Sequence, residues 1–533
     1  MEQEPVPQTP VESPAAVEAA APTNSTRRLI YAAAFFALLK LAFHLYANRG
    51  YGYFRDELYF MACGEHLDFG YVDHAPLVAV YAWLSRALFG DSLSAIRFLP
   101  ALAGAAKIFL TGLIAIELGG GMAAVIVACL ACIAAPLYFA MDNFLSMNAF
   151  EPVYWTAVIY FAIRALRRRQ PMMWIWAGVF AGLGLENKHS TAFFLLALGA
   201  GLLLTPAWRA MREKYFWIGL GTAVLIFLPN LIWQFTHGFP TLELLRNVQR
   251  THKNVVLGPV DFVLQQILVA GPIGILVCAA GLWWLFRHRE SEPGSDDRKP
   301  VYRWMAYTFV LFFVLMFFMS AKNYYLGPIY PMLFAAGGVW WGARQTWMRN
   351  TLCVVMVGVS VAIACLITPI LPVETLLKYQ QMSPLAIPKT EVAHNGILPQ
   401  HLGDQFAWPE IVEATAHAYN NLPPTDKVRA GIFAGNYGEA GAIDFFGPKY
   451  SLPKAISGHQ NYYLWGPRDY SGEVLIILSQ NSRWFERNCL GGVEETARVA
   501  HPLGMPEERI GIYVCRGLNP PLPEVWPRLK VWN

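Results

Sequence analysis

The chain has 533 residues, 55% of them hydrophobic and only 15% charged, where an ordinary soluble domain carries about 25% charged residues. That balance indicates an integral membrane protein, long enough for a membrane domain plus one soluble domain. The net charge of +4 comes without any long Lys/Arg face, which excludes a nucleic-acid footprint.

Residues 1–26 are rich in Pro, Ala and Glu and show no apolar periodicity, so they predict a disordered cytoplasmic tail. They do not read as a signal peptide: Arg27 and Arg28 follow the tail, and the next apolar run lacks a cleavage site. A helix needs about 20 apolar residues to cross a bilayer. By that measure spans are predicted near 29–47, 94–117, 122–140, 150–166, 172–186, 190–206, 216–233, 262–286, 301–320, 325–343 and 350–371. With these eleven spans, five basic clusters fall on one side: Arg27–Arg28, Arg167–Arg169, Arg209 to Lys214, Arg287 to Lys299, and Arg344 with Arg349. That side is then cytoplasmic. The opposite, outer side receives the loop 48–93, the turns near 142–148, 186–190 and 322–324, the loop 234–261, and everything after 371.

Residues 27–371 therefore predict a mainly α, polytopic helical bundle. Residues 372–533 predict a small extracytoplasmic α/β domain. In the latter, TDKVRAGIFAGNYGEAGAIDFFG reads as a strand, a Gly-rich turn and a helix, and SGEVLIILSQN and RIGIYVCRG as further buried strands. Cys129 and Cys132 lie within a predicted span and read as small buried residues. No zinc-finger spacing is present. Cys489 and Cys515 both fall in the C-terminal part and can pair there if it lies outside the cytoplasm.

Ionisable residues gather on the outer side. Asp56 and Glu57 sit in RDE, embedded among Tyr51, Tyr53, Phe54, Tyr59 and Phe60. A loop this apolar is expected to pack on the membrane domain, so its carboxylates are partly desolvated, which raises basicity and suits a general base. Asp73 and His74, in GYVDHAPL, read as a pH-sensitive ion pair, as a phosphate-binding corner, or as a capping Asp before Pro76. Asp142 and Glu151 flank the mouth of the fourth span, and Glu151 precedes Pro152 at an expected helix start. Lys188 and His189 in GLENKHS, and Lys322, Tyr324 and Tyr325 in AKNYYLGPIYP, place one lysine in each of two outer turns. Each reads as a snorkelling residue or as part of a clamp on an anionic headgroup.

RDELYF, GYVDHAPL and FGDSLSAIRFLPALAGA resemble the GT-C fold polyprenyl-phosphate-sugar glycosyltransferases of family 39. Within that group the likeness is to the branch of protein O-mannosyltransferases and lipid A aminoarabinose transferases, over roughly 27–345. The resemblance implies a catalytic or acceptor-anchoring role for Asp56, with Glu57 as its acidic partner. It likens Glu151–Pro152 to an acid–proline pair at the fourth helix, where relatives carry Asp. Lys188, Lys322, Tyr324 and Tyr325 fall at positions implied to face the lipid phosphate, and His74 stands where aminoarabinose enzymes place a lysine.

The implied reaction moves a sugar from a polyprenyl-phosphate donor to an envelope acceptor (glycan, lipid or protein) at the outer face of the inner (plasma) membrane. Asp56, or Glu151, takes the proton of the acceptor hydroxyl, and cations stabilise the departing phosphate. No cofactor is required, although two carboxylates leave room for a divalent cation. A transporter or lipid flippase is the rival reading, but transporters usually keep ionisable residues near the midplane in repeat-related helices. Here they collect at one face, and no repeat is visible. A non-catalytic receptor with an outer domain has no need of carboxylates beside several helix mouths.

Overall fold

The computed structural model describes residues 24–291, 298–299, 301–382, 391–392 and 394–533. The tail expected over 1–26 lies outside these except for 24–26, which already belong to the first helix, Asn24–Ala47.

Every predicted span contains a helix, and the chain is a multi-pass membrane protein built mainly of α-helix. Among the described residues, four helices are long and apolar enough to cross a membrane singly: Asn24–Ala47, Leu93–Glu117, Lys214–Thr236 and Thr346–Ile367. Two bent pairs raise this to six, and the other intervals hold shorter helices, so a count of eleven full crossings does not follow from helix length. One bent pair, Pro259–Ala270 with Pro272–Arg287, turns through 103°. Gly271 at φ 83 followed by Pro272 explains it, because the first adopts the left-handed side and the second cannot donate to the preceding turn. The third interval is likewise split, into Met122–Ala134 and Pro136–Met141.

The loops expected on the outer side are more helical than their apolar patterns suggest. Helices run over Arg55–Glu65, Leu77–Phe89 and Pro240–Arg250. They are too short to span a membrane, and Arg55–Glu65 and Pro240–Arg250 lie beside the C-terminal region.

That region holds a five-stranded sheet: β1 (Ala430–Ala434), β2 (Ala455–Ile456), β3 (Val474–Ser479), β4 (Val493–Val499) and β5 (Ile510–Arg516). The spatial order is β2-β1-β3-β5-β4. β1 is parallel to both β2 and β3, while β5 is antiparallel to β3 and β4. The expected strand–turn–helix unit is β1, Gly435–Asn436 and the helix Tyr437–Phe446. Asn436 caps that helix by accepting from the backbone N–H groups of Gly438 and Glu439 at 2.8 and 3.0 Å. Cys489 and Cys515 are joined as a disulfide. The buried apolar core continues from the membrane helices through Leu58 and Tyr59 into Ala440, Ile443 and Ile432 of the sheet region.

Candidate active site

The RDE segment opens the first-loop helix Arg55–Glu65. Phe54 precedes it in extended conformation, and the Glu57 carboxylate reaches back to accept from the Phe54 N–H at 2.8 Å, which fixes the first turn. The helix then sends its two adjacent acids in different directions. Asp56 stays about one-third exposed (32%) and accepts a hydrogen bond from the Tyr437 hydroxyl at 2.8 Å. Glu57 is fully buried and paired with buried Arg97, which donates from Nη2 to Oε2 at 2.8 Å and from Nε to Oε1 at 3.0 Å. Glu57 also accepts from the Leu145 N–H at 2.8 Å. Its acceptor positions are taken up by protein donors, so Glu57 lies in the packing beneath the site rather than in it.

Glu151 does not stand at a helix start as its Pro152 suggested. The helix begins at Met147, leaving Glu151 a full turn inside and buried. There it pairs with the Lys188 ammonium at 3.0 Å and accepts from the Ser190 hydroxyl. Lys188 also donates to Asn148 Oδ1 at 2.8 Å and lies over the rings of Tyr325 and Tyr324, at 4.5 and 5.5 Å from their centroids. Burial works against the Lys188 ammonium, but Glu151 and the two phenol oxygens outweigh it and raise its pKa. A small cavity opens beside this corner, lined in part by Asn148, Glu151, Pro152, Tyr324 and Pro328.

The second predicted lysine, Lys322, is 3.5 Å from Glu391. Glu391 also lies 3.9 Å from Lys253 and 3.3 Å from His394. Burial tends to raise the pKa of Glu391, but Lys253 and Lys322 reverse this and lower it. Burial lowers that of Lys253. Tyr324 feels the charges of Lys188, Glu151 and Glu391, and Lys253 feels those of Arg55 and Asp56. The Lys188–Glu151 corner, the Lys322–Glu391–Lys253 cluster and Asp56 are thus coupled through their charges into a polar belt.

The remaining candidates sit around this belt or below it. Asp73 accepts from the Tyr59 hydroxyl at 2.8 Å, and burial raises its pKa. His74 is buried against Tyr71 and Cys63, with Nδ1 2.9 Å from the Ala75 carbonyl. Burial lowers its pKa, against the pull of Asp73. His189 is 3.0 Å from Asn230 and is also lowered by burial. Asp142 is fully buried inside the bundle, bonded to Lys107 at 2.9 Å and paired with Lys40 at 3.4 Å. It braces helices and does not face the belt.

Sequence reasoning missed Arg55, Lys253 and Tyr437 in the belt, and Arg97, Lys40 and Lys107 beneath it. The buried cations sit in apolar runs, where a lone Lys or Arg carries no spacing signal. Tyr437 lies in the Gly-rich turn whose local structure was legible, but nothing local points to its partner 381 positions away. Among the described residues no group of three His, Cys, Asp or Glu side chains comes together in a way that could hold a metal ion.

Residues 73–233 match the model of the family described as dolichyl-phosphate-mannose-protein mannosyltransferase. This segment contains Glu151 and Lys188 but neither Asp56 nor Tyr437. A lipid A galacturonosyltransferase, RgtD, from Rhizobium johnstonii is 26% identical over 277 residues, 49% of this chain and 55% of that protein. The chain therefore spans about half the length of the curated relative it matches. The crystal structure of ArnT from Cupriavidus metallidurans bound to undecaprenyl phosphate superposes with a TM-score of 0.57 at 14% identity, covering 92% of this chain and 98% of that one. Its apo form gives 0.55 at 13% identity with the same coverage. The two likenesses establish that the chain has the ArnT fold, the GT-C architecture implied by the sequence motifs.

Proposed function

We propose that the protein is a membrane glycosyltransferase that moves a sugar from a polyprenyl-phosphate donor to an envelope acceptor at the outer face of the inner membrane. The observation that carries this reading is the polar belt: a partly exposed carboxylate, Asp56, together with Lys253 and Lys322 around Glu391 and Lys188 on Glu151. The match to a mannosyltransferase family model and the likeness to a lipid A galacturonosyltransferase support sugar transfer. The undecaprenyl phosphate bound to ArnT supports a lipid-phosphate donor. The Cys489–Cys515 disulfide supports an oxidising, extracytoplasmic location for the C-terminal region.

The chemistry assigns each group one task. The acceptor hydroxyl approaches Asp56 from the aqueous side and gives it its proton as the oxygen attacks the anomeric carbon. The bond from that carbon to the phosphate oxygen breaks, and the phosphate leaves with the electron pair. Lys188 and Lys322 stabilise the charge that develops there. Glu151, with Ser190 and Asn148, holds Lys188 in place, which suits it to positioning better than to proton transfer. In-line attack inverts the anomeric centre.

The test is mass spectrometry of envelope lipids and glycans from cells with and without the protein, followed by complementation with Asp56→Asn. A product that disappears with the protein and does not return with Asp56→Asn supports the reading. An unchanged envelope, or full restoration by that variant, refutes it.

A further inference from the structure

The C-terminal sheet carries a feature that sugar transfer alone does not explain. Its strand order β2-β1-β3, with β1 parallel to both neighbours, creates a topological switch point. In open α/β sheets the crevice outside the carboxyl ends of the strands at such a point is where ligands bind. In this protein the start of the first-loop helix packs against the helix that follows β1.

Arg55 lies at this contact. Its guanidinium lies 3.7 Å from both Asp404 and Glu508 and 3.8 Å from Glu507, all acids of the C-terminal region. Its backbone N–H donates to the Asp404 carbonyl at 3.1 Å. Next to it, the Tyr437 hydroxyl, from the first residue of the helix after β1, bonds Asp56. The Tyr437 ring is held between Tyr59, at 4.7 Å, and His459, at 4.9 Å. The two glycines of YGEAGA make this approach close. A Cβ on Gly438 would fall 2.4 Å from Arg55 Cγ, and one on Gly441 would fall 2.8 Å from the Leu58 carbonyl carbon. The Gly-rich motif is therefore a docking face for the helix that carries Asp56.

We infer that the C-terminal α/β domain is a positioning module for the active site, and that Tyr437 is the residue through which it orients Asp56. The inference rests on the proposed reading of Asp56 as the base. The Tyr437 hydroxyl donates to one carboxylate oxygen and leaves the other to receive the acceptor's proton. Without it the carboxylate is free to rotate or to swing toward Arg55 Nε, 3.9 Å away.

The experiment compares Tyr437→Phe with Asp56→Asn in the full chain, using the donor and acceptor identified by the envelope comparison, and undecaprenyl phosphate as the binding probe. Tyr437→Phe keeps the stacked ring and removes only the hydroxyl. A hydrogen bond to a charged group corresponds to roughly a 10- to 100-fold rate effect. The expected result is a kcat lower by about that factor, with donor KM, undecaprenyl phosphate affinity and thermal midpoint unchanged. A kcat within twofold of wild type overturns the inference, as does a loss accompanied by a lower midpoint or weaker lipid binding. If Tyr437→Phe is normal while Asp56→Asn is inactive, only the positioning role falls. If Asp56→Asn turns over normally, the base assignment falls and takes the positioning role with it.

Discussion

Asp56 and Glu57 are neighbours in sequence, and removing either carboxylate should damage the protein in a different way. Glu57 forms two hydrogen bonds of 3.0 Å or less with Arg97, and both side chains are fully buried. It also satisfies the N–H groups of Phe54 and Leu145. Glu57→Ala leaves the Arg97 charge buried against only the carbonyls of Gly52, Gly50 and Asn48 and the amide of Gln405. Breaking a buried pair in this way costs about 3–5 kcal/mol, and each orphaned N–H adds about 1–3 kcal/mol. The sum approaches the whole stability margin of an ordinary domain, about 5–15 kcal/mol, so Glu57→Ala should fail to accumulate as a monodisperse protein. Glu57→Gln, which keeps the shape, should survive with its midpoint lowered by several degrees. Adding Arg97→Gln should recover part of that loss, because no uncompensated charge then remains. Asp56→Asn should keep the wild-type midpoint while turnover falls by about 10²- to 10⁴-fold, the usual range for loss of a general base. Thermal unfolding by intrinsic fluorescence in detergent, read beside turnover, separates these outcomes. A Glu57→Ala protein that folds with a wild-type midpoint yet has no activity would refute the argument and move Glu57 into the reaction.

Three further outcomes are expected. Lys188→Met removes the cation at the Glu151 corner, so affinity for undecaprenyl phosphate should fall by about tenfold or more, as expected for a charge-assisted bond to phosphate. Unchanged binding would place the lipid phosphate elsewhere on the belt. Gly441→Leu drives a side chain into the backbone at Leu58, an overpacking penalty of about 1–3 kcal/mol. Limited proteolysis should then release the C-terminal region sooner, and wild-type resistance would show that the two helices do not need this contact. Burial pushes the Asp404 carboxyl up to about 6 from its ordinary 3.8, against the pull of Arg55. The folded state therefore keeps a proton that the unfolded chain gives up, and Asp404 stabilises less as pH rises from about 4 to about 6. Asp404→Asn should flatten the fall of the midpoint across that window, and a profile parallel to wild type would count against the assignment.

How much of this was legible in the sequence depends on the range of the signal. Each predicted span contains a helix because burying apolar side chains in lipid leaves a continuous local run. The strands β1, β3 and β5 were equally readable, as short apolar runs. The edge strand β4, VEETARV, was not: it is polar and largely exposed, and only its pairing with β5 makes it a strand. The same limit applied to the acids. RDE singled out two adjacent acids, but the pattern gave Asp56 and Glu57 equal standing. What distinguishes them is Arg97, which lies 40 positions from Glu57 at the opening of a largely apolar helix. Asp142 was drawn toward the outer mouth for the same reason, since its partners Lys40 and Lys107 sit in two other helices and carry no motif.

The outward acid, not the pair, is what the C-terminal domain holds. An acid that must accept a proton has to be reachable by water and acceptor, yet a partly exposed side chain on a loop helix has rotamer freedom that works against in-line attack. The fold answers this without burying Asp56. Glu57 and Arg97 anchor the helix from the membrane side, while Tyr437 and the acids around Arg55 hold it from the other. Clamped from both faces, the helix leaves Asp56 partly exposed, with one oxygen bonded to Tyr437. On this argument, Gly441→Leu, which pushes the two helices apart in the full chain, should still bind undecaprenyl phosphate at the Lys188 corner but lose turnover toward the level of Asp56→Asn. Transfer at wild-type rate by that variant would show that the membrane helices orient Asp56 by themselves.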